Sequence, residues 1–230
     1  TQRSTEVYDP AVDRWSRGCP LQVARSGLRL VEIGRGQLAA VGGCDDVFGR
    51  AETQATIEVF DADTSCWSLL DTRLSVPRTS AAVVALDGGR CCFVAGGAPS
   101  QSSVEVVQLP PIPRQPARPH FDDWSKVDDM PQGRMGCQAA VVQLPDHTGE
   151  SRERRAAGGH RACVVVVGGE LCDDMEVGWA AMPRVRQLNT VAVYDLQARK
   201  WCDGEAVPAI AAPRTTMALV VGAGHVAAAR

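Results

Sequence analysis

A recurrence runs the length of this chain. Val7-Tyr8-Asp9, Val59-Phe60-Asp61 and Val193-Tyr194-Asp195 each place a tryptophan seven residues after the aromatic, at Trp15, Trp67 and Trp201. An arginine follows each, at Arg25, Arg78 and Arg214; a further round, Val106-Val107-Gln108, reaches Trp124 after 17 residues and then Arg134. Glycine pairs close three rounds, Gly42-Gly43, Gly96-Gly97 and Gly168-Gly169, with spacings of 54 and 72 residues. A unit of about 50 residues, swollen by insertions, marks an array in which each unit buries its apolar face only against its neighbours.

The residues match as well as the spacing. A glycine pair after a hydrophobic strand, an aromatic near the end of a later strand and a tryptophan seven residues on make the chain resemble kelch-repeat β-propellers. It is most similar to the kelch domains of cullin-type ubiquitin-ligase substrate adaptors, on phrases such as Val7-Tyr8-Asp9-Pro10 through Trp15 and Arg25-Ser26-Gly27. Val107 departs from the pattern, standing where an aromatic belongs. The resemblance implies an all-β fold, a kelch-type β-propeller of four-stranded antiparallel blades, over residues 1–230.

Pattern places the strands. Arg78 to Leu86 is small and β-branched, Asp87-Gly88-Gly89 turns the chain, and Cys91 to Ala95 is a short apolar run, which predicts a buried hairpin. Val104 to Leu109 and a strand around Trp124 complete four. Equivalent runs are Arg25–Ile33, Gln37–Val41, Thr56–Phe60 and Trp67–Leu70, then Cys137–Leu144, Ala162–Val167, Leu188–Tyr194 and Lys200–Cys202. Three blades result, over about 25–71, 78–128 and 134–204. An outer pair around Val7 and Trp15 and an inner pair at Thr216–Val221 and His225–Ala229 remain, as a partial or composite fourth blade. Four is the low end of the propeller range of about 4 to 8 blades, so a piece of a larger ring is expected. The absence of an initiator methionine fits that expectation. All four repeat tryptophans are expected between blades, each burying about 150 to 250 Å².

Three insertions interrupt the array. Pro110 to Pro119 reads as an extended tether, Pro145 to His160 as a solvated hairpin tip, and Glu170 to Gln187, which carries Trp179, as a long loop on a rigid scaffold.

Composition narrows the function. The net charge is −3 and no basic run is long enough to track phosphates, so nucleic acid is not an expected partner. The longest apolar run, Cys163 to Val167, falls far short of the roughly 20 residues a membrane span needs. Nine cysteines without a Cys-x-x-Cys pair, Cys91 and Cys92 leaving a strand on opposite faces, and no glycosylation sequon at Asn189 point to a reducing, cytoplasmic setting.

No catalytic constellation emerges, and neither cofactor nor metal is expected. His120, His147, His160 and His225 lack metal-ligand spacing, and Tyr8 and Tyr194 occupy repeat positions rather than the ligand sites of copper-oxidase propellers. Asp45-Asp46 and Asp173-Asp174 read as turn residues rather than calcium ligands, and Gly34-Arg35-Gly36 as a hairpin turn. The arginines are the better lead. Arg25, Arg78, Arg134 and Arg214 stand 10, 11, 10 and 13 residues after their tryptophans, where the chain enters each innermost strand. In the adaptor domains that this chain resembles, arginines and small hydroxyl residues there line a pocket for an acidic peptide. The corresponding partner-facing candidates are Arg25, Ser26, Arg78, Thr79, Ser80, Arg134, Arg214, Thr215 and Thr216, with Trp179 in its loop. The competing reading is structural: each arginine holds blades in register, and recurrence is what such a role produces. The expected function is a protein or peptide interaction module, with a sugar-processing or other small-molecule enzyme as the alternative.

Overall fold

The computed structural model describes residues 2–34, 36–45, 52–110, 127–145, 160–173, 184–202, 207–222 and 225–229. These form an all-β chain of small antiparallel sheets. The N-terminal pair is β1 (Glu6–Asp9) and β2 (Arg14–Arg17). The first complete sheet runs β3 (Arg29–Gly34), β4 (Gln37–Val41), β5 (Thr56–Asp61) and β6 (Cys66–Arg73). The second contains β7 (Ala82–Leu86), β8 (Cys91–Ala95) and β9 (Val104–Gln108); the expected strand at Trp124 lies outside the described residues. The third joins β10 (Gln138–Pro145), β11 (His160–Val167), β14 (Val191–Asp195) and β15 (Lys200–Trp201). The pair β16 (Ala218–Gly222) and β17 (His225–Ala229) follows.

Each first strand lies against the first strand of the next sheet: β3 against β7, β7 against β10 and β10 against β16. Apolar cores fill the spaces between sheets. One joins Ile33, Val41 and Ile57 to Val83, Cys92 and Val94, and the next joins Val84, Cys91 and Phe93 to Val164, Val166 and Tyr194. Cys91 and Cys92 therefore serve opposite faces, as strand geometry requires. These successive, face-packed sheets are propeller-like blades, and the pairs β1–β2 and β16–β17 stay separate sheets, so the fourth unit is partial.

The seven-residue step is a hairpin register. Tyr8, Phe60 and Tyr194 stand directly opposite Trp15, Trp67 and Trp201, with ring centroids 5.3, 5.3 and 5.2 Å apart. The aspartate after each aromatic fixes the turn: its Oδ1 accepts the backbone N–H of Ala11 from Asp9, of Asp63 from Asp61 and of Gln197 from Asp195. Two residues before each tryptophan the backbone is left-handed, at Asp13, Ser65 and Arg199.

Two expectations need correction. Trp67 is 6% exposed, but Trp15 is 67% exposed, because no described residue packs over the outer face of β1–β2. The segment Glu170–Gln187 is not loop throughout, since its ends pair as β12 (Glu170–Cys172) and β13 (Val185–Gln187). The Gln101 side chain pins this hairpin by bonding both the N–H and the C=O of Cys172 at 2.8 Å. Residues 111–126, which hold most of the proline-rich tether, 146–159, with the interior of the tip, and 174–183, with Trp179, lie outside the described residues.

Candidate functional site

Two residues after each repeat arginine the backbone turns left-handed, at Gly27, Ser80, Gly136 and Thr216. There the blades are stitched together. Ser80 N–H donates to Gly27 O at 2.8 Å, Gly136 N–H to Ser80 O at 2.8 Å and Thr216 N–H to Gly136 O at 2.9 Å. This backbone belt runs across the array at the end where the chain enters each first strand. It carries the candidate hydroxyls in one row: Ser26 is exposed, while Thr79, Ser80 and Thr215 are half-buried. Ser26 Oγ contacts Cys44 Sγ at 3.2 Å, and Thr79 Oγ1 lies 3.4 Å from Ser26 O. Thr215 Oγ1 is buried without a partner among the described residues.

Three of the four arginines are not at the surface. Arg25, Arg78 and Arg134 are 3%, 1% and 1% exposed, which corrects their assignment as partner-facing residues. Each guanidinium is used inside its own blade. Arg25 Nη1 donates to Gly42 O at 2.7 Å and Thr56 O at 3.0 Å, and its Nη2 pairs with Glu58 Oε1 at 2.8 Å. Arg78 repeats the set with Gly96 O, Ser103 O and Glu105, the ion pair again 2.8 Å long. Arg134 reaches Gly168 O and Thr190 O, but Ala192 occupies the carboxylate position, and it has no acidic partner among the described residues. Burial lowers all three guanidinium pKa values from their ordinary range, opposed at Arg25 and Arg78 by the paired carboxylate.

The glycine pair is the other half of this clasp. The C=O of the first glycine accepts its own blade's arginine, while the N–H of the second donates to the C=O of the next blade's: Gly43 to Arg78, Gly97 to Arg134 and Gly169 to Arg214, at 2.9, 2.9 and 2.7 Å. The approach leaves no room for a side chain. A Cβ on Gly42 would sit 2.5 Å from Arg78 O, and one on Gly168 would sit 2.6 Å from Arg214 O.

Other residues with evident roles were not singled out from sequence. Glu58 is fully buried and also accepts the N–H groups of Gln22 and Val23. The available signal was its place two residues before the aromatic, shared by Glu6 and Glu105 (two before Val107). Arg29 bridges three blades, its Nε donating to Ala81 O and its Nη2 to Cys137 O, both at 2.9 Å. The Cys137 thiol is pushed up to about 11, chiefly by burial and against the nearby Arg134 and Arg29 charges. No group of three or more His, Cys, Asp or Glu side chains is placed to hold a metal ion among the described residues, and no described helix is long and apolar enough to cross a membrane.

The fold so defined is a propeller-like all-β array. No family model matches the chain, and no curated protein sequence does. A solved structure described as "Structure of YjhT" is similar to it, with a TM-score of 0.61 and 11% identity, over 99% of this chain and 71% of that one. At that identity the likeness bears on fold alone.

Proposed function

We propose that this chain is a non-enzymatic recognition module of the kelch kind, which presents the belt end of its blades to a peptide or protein in the cytoplasm, as a substrate-recognition part of a ubiquitin-ligase adaptor. The observation that carries this reading is the set of small hydroxyl residues along the belt, Ser26, Thr79 and Thr215 each directly after a repeat arginine and Ser80 next to Thr79, with Met135 and Gly136 in their place on the third blade beside the β12–β13 hairpin. A frame bearing short polar groups at its end suits the docking of a partner chain. Arg25 and Arg78 are neutralised by Glu58 and Glu105, so the binding face works through hydroxyls, backbone and loops rather than a ring of free cations. All nine cysteines are free thiols, which supports a reducing compartment.

Substitution at the belt tests the reading. Ser26→Arg and Thr79→Arg, each placing a bulky cation at the row, should abolish capture of partner proteins from cytosolic extract, the exposed Ser26 variant leaving the melting temperature within about 2 °C of the parent, as surface substitutions usually do. Undiminished capture by both variants would refute the assignment of the binding face.

A further inference from the structure

The N-terminal pair β1–β2 is half a blade in its regular place. Arg25 N–H donates to Gln2 O just as Arg78 N–H donates to Gln54 O and Arg134 N–H to Gln101 O. Ser4-Thr5-Glu6-Val7-Tyr8-Asp9 aligns with Thr56-Ile57-Glu58-Val59-Phe60-Asp61, so β1 is a third strand and β2 a fourth. Between β1 and the first complete blade lies a groove of about 300 Å³, lined by Val7, Leu21, Leu28, Leu30, Phe60 and Trp67 among others. The neighbouring blades fill this space with a first-and-second-strand hairpin. Val7, Tyr8, Trp15 and Leu30, at 50%, 41%, 67% and 51% exposed, are among the large apolar residues left open.

The pair β16–β17 is the complementary half. It follows Arg214 and the left-handed Thr216 and, among the described residues, its two strands pair only with each other. The charges of the two halves complement each other. In the two sheets that follow, an ion pair joins the first-strand side to the third strand, Arg25 to Glu58 and Arg78 to Glu105. In the partial unit the corresponding residues are Arg214 and Glu6, and neither side chain has an ion-pair partner among the described residues.

We propose that two copies of this chain exchange these halves reciprocally: β16–β17 of each copy docks in the other's groove, β17 pairs antiparallel with β1, and Arg214 of one copy binds Glu6 of the other. The β4–β5 register sets the alignment, Val226 opposite Tyr8, Ala227 opposite Val7 and Ala228 opposite Glu6, as Leu38, Ala39 and Ala40 oppose Phe60, Val59 and Glu58. Three blades from each copy and two shared ones make a ring within the propeller range of about 4 to 8 blades. The proposal is independent of the partner-binding reading.

Sedimentation of the full 230-residue chain should give twice the chain mass. Glu6→Arg and Arg214→Glu should each raise the dimer dissociation constant at least about tenfold, because each sets like charges together in a closed interface. An equimolar mixture of the two variants should dimerise as the parent does, since in the mixed pair both contacts join opposite charges. That recovery also shows that both variants fold. A parent that stays monomeric at every concentration, single variants that dimerise like the parent, or a mixture that stays monomeric would each overturn the proposal, the last assigning the Arg214–Glu6 contact to a single chain.

Discussion

Arg25, Arg78 and Arg134 occupy equivalent positions, yet among the described residues only the first two meet a carboxylate. The third blade differs in two linked places. Where Glu105 accepts the Ser75 N–H, the corresponding residue is Pro131, which has no N–H to offer, and the carboxylate itself is replaced by Ala192. The Gln132 side chain takes its place instead, accepting from Thr190 Oγ1 at 2.8 Å. A buried acid stranded without its base is costlier than unpaired carbonyls. Arg25→Ala and Arg78→Ala should therefore each destabilise the fold by about 3 to 5 kcal/mol, and Arg134→Ala by about 1 to 3 kcal/mol. Denaturant titration of the three variants measures this order; equal losses would show that the carbonyl contacts, rather than the ion pairs, dominate.

The fourth-strand tryptophan gives one sequence phrase two physical fates. Trp67 packs with Leu21 and Ala40 inside a core and Trp201 donates its indole N–H to Asp128 O, whereas Trp15, with the same cross-strand aromatic, faces outward. Trp67→Ala should cost about 3 to 5 kcal/mol. Trp15→Ala should shift the unfolding of the isolated chain by no more than about 0.5 kcal/mol and act instead on self-association, both read from denaturation followed at several protein concentrations. The inner hairpins were legible because local pattern specifies them: the runs Gln37–Val41 and Cys91–Ala95 are strands to the residue. The β12–β13 hairpin was not, because strands of three residues carry no alternation to read. The recurrence of the arginines marked their importance without saying which way they face. That depended on Glu58 and Glu105, whose charge reads as surface until the fold closes over it.

Across the whole array, stability is a nearest-neighbour property, and the contacts that carry it are few and repeated. Each boundary between blades combines an apolar core, one belt hydrogen bond and one glycine-to-arginine backbone bond. Gly96 is the most exposed to test, because its backbone lies at φ +66° and a Cβ there would run into Arg134 O. The left-handed backbone alone costs an alanine about 1 to 2 kcal/mol, and relieving the contact must push the second and third blades apart. Gly96→Ala should therefore lower the coupling between blades as well as the total stability. In native-state hydrogen exchange, the amides of β3 to β6 and of β10, β11 and β14 should separate into groups that open with different free energies, where the parent opens them together. If both groups lose protection equally, the glycine acts within its own blade, and the clasp is not what makes the array cooperative.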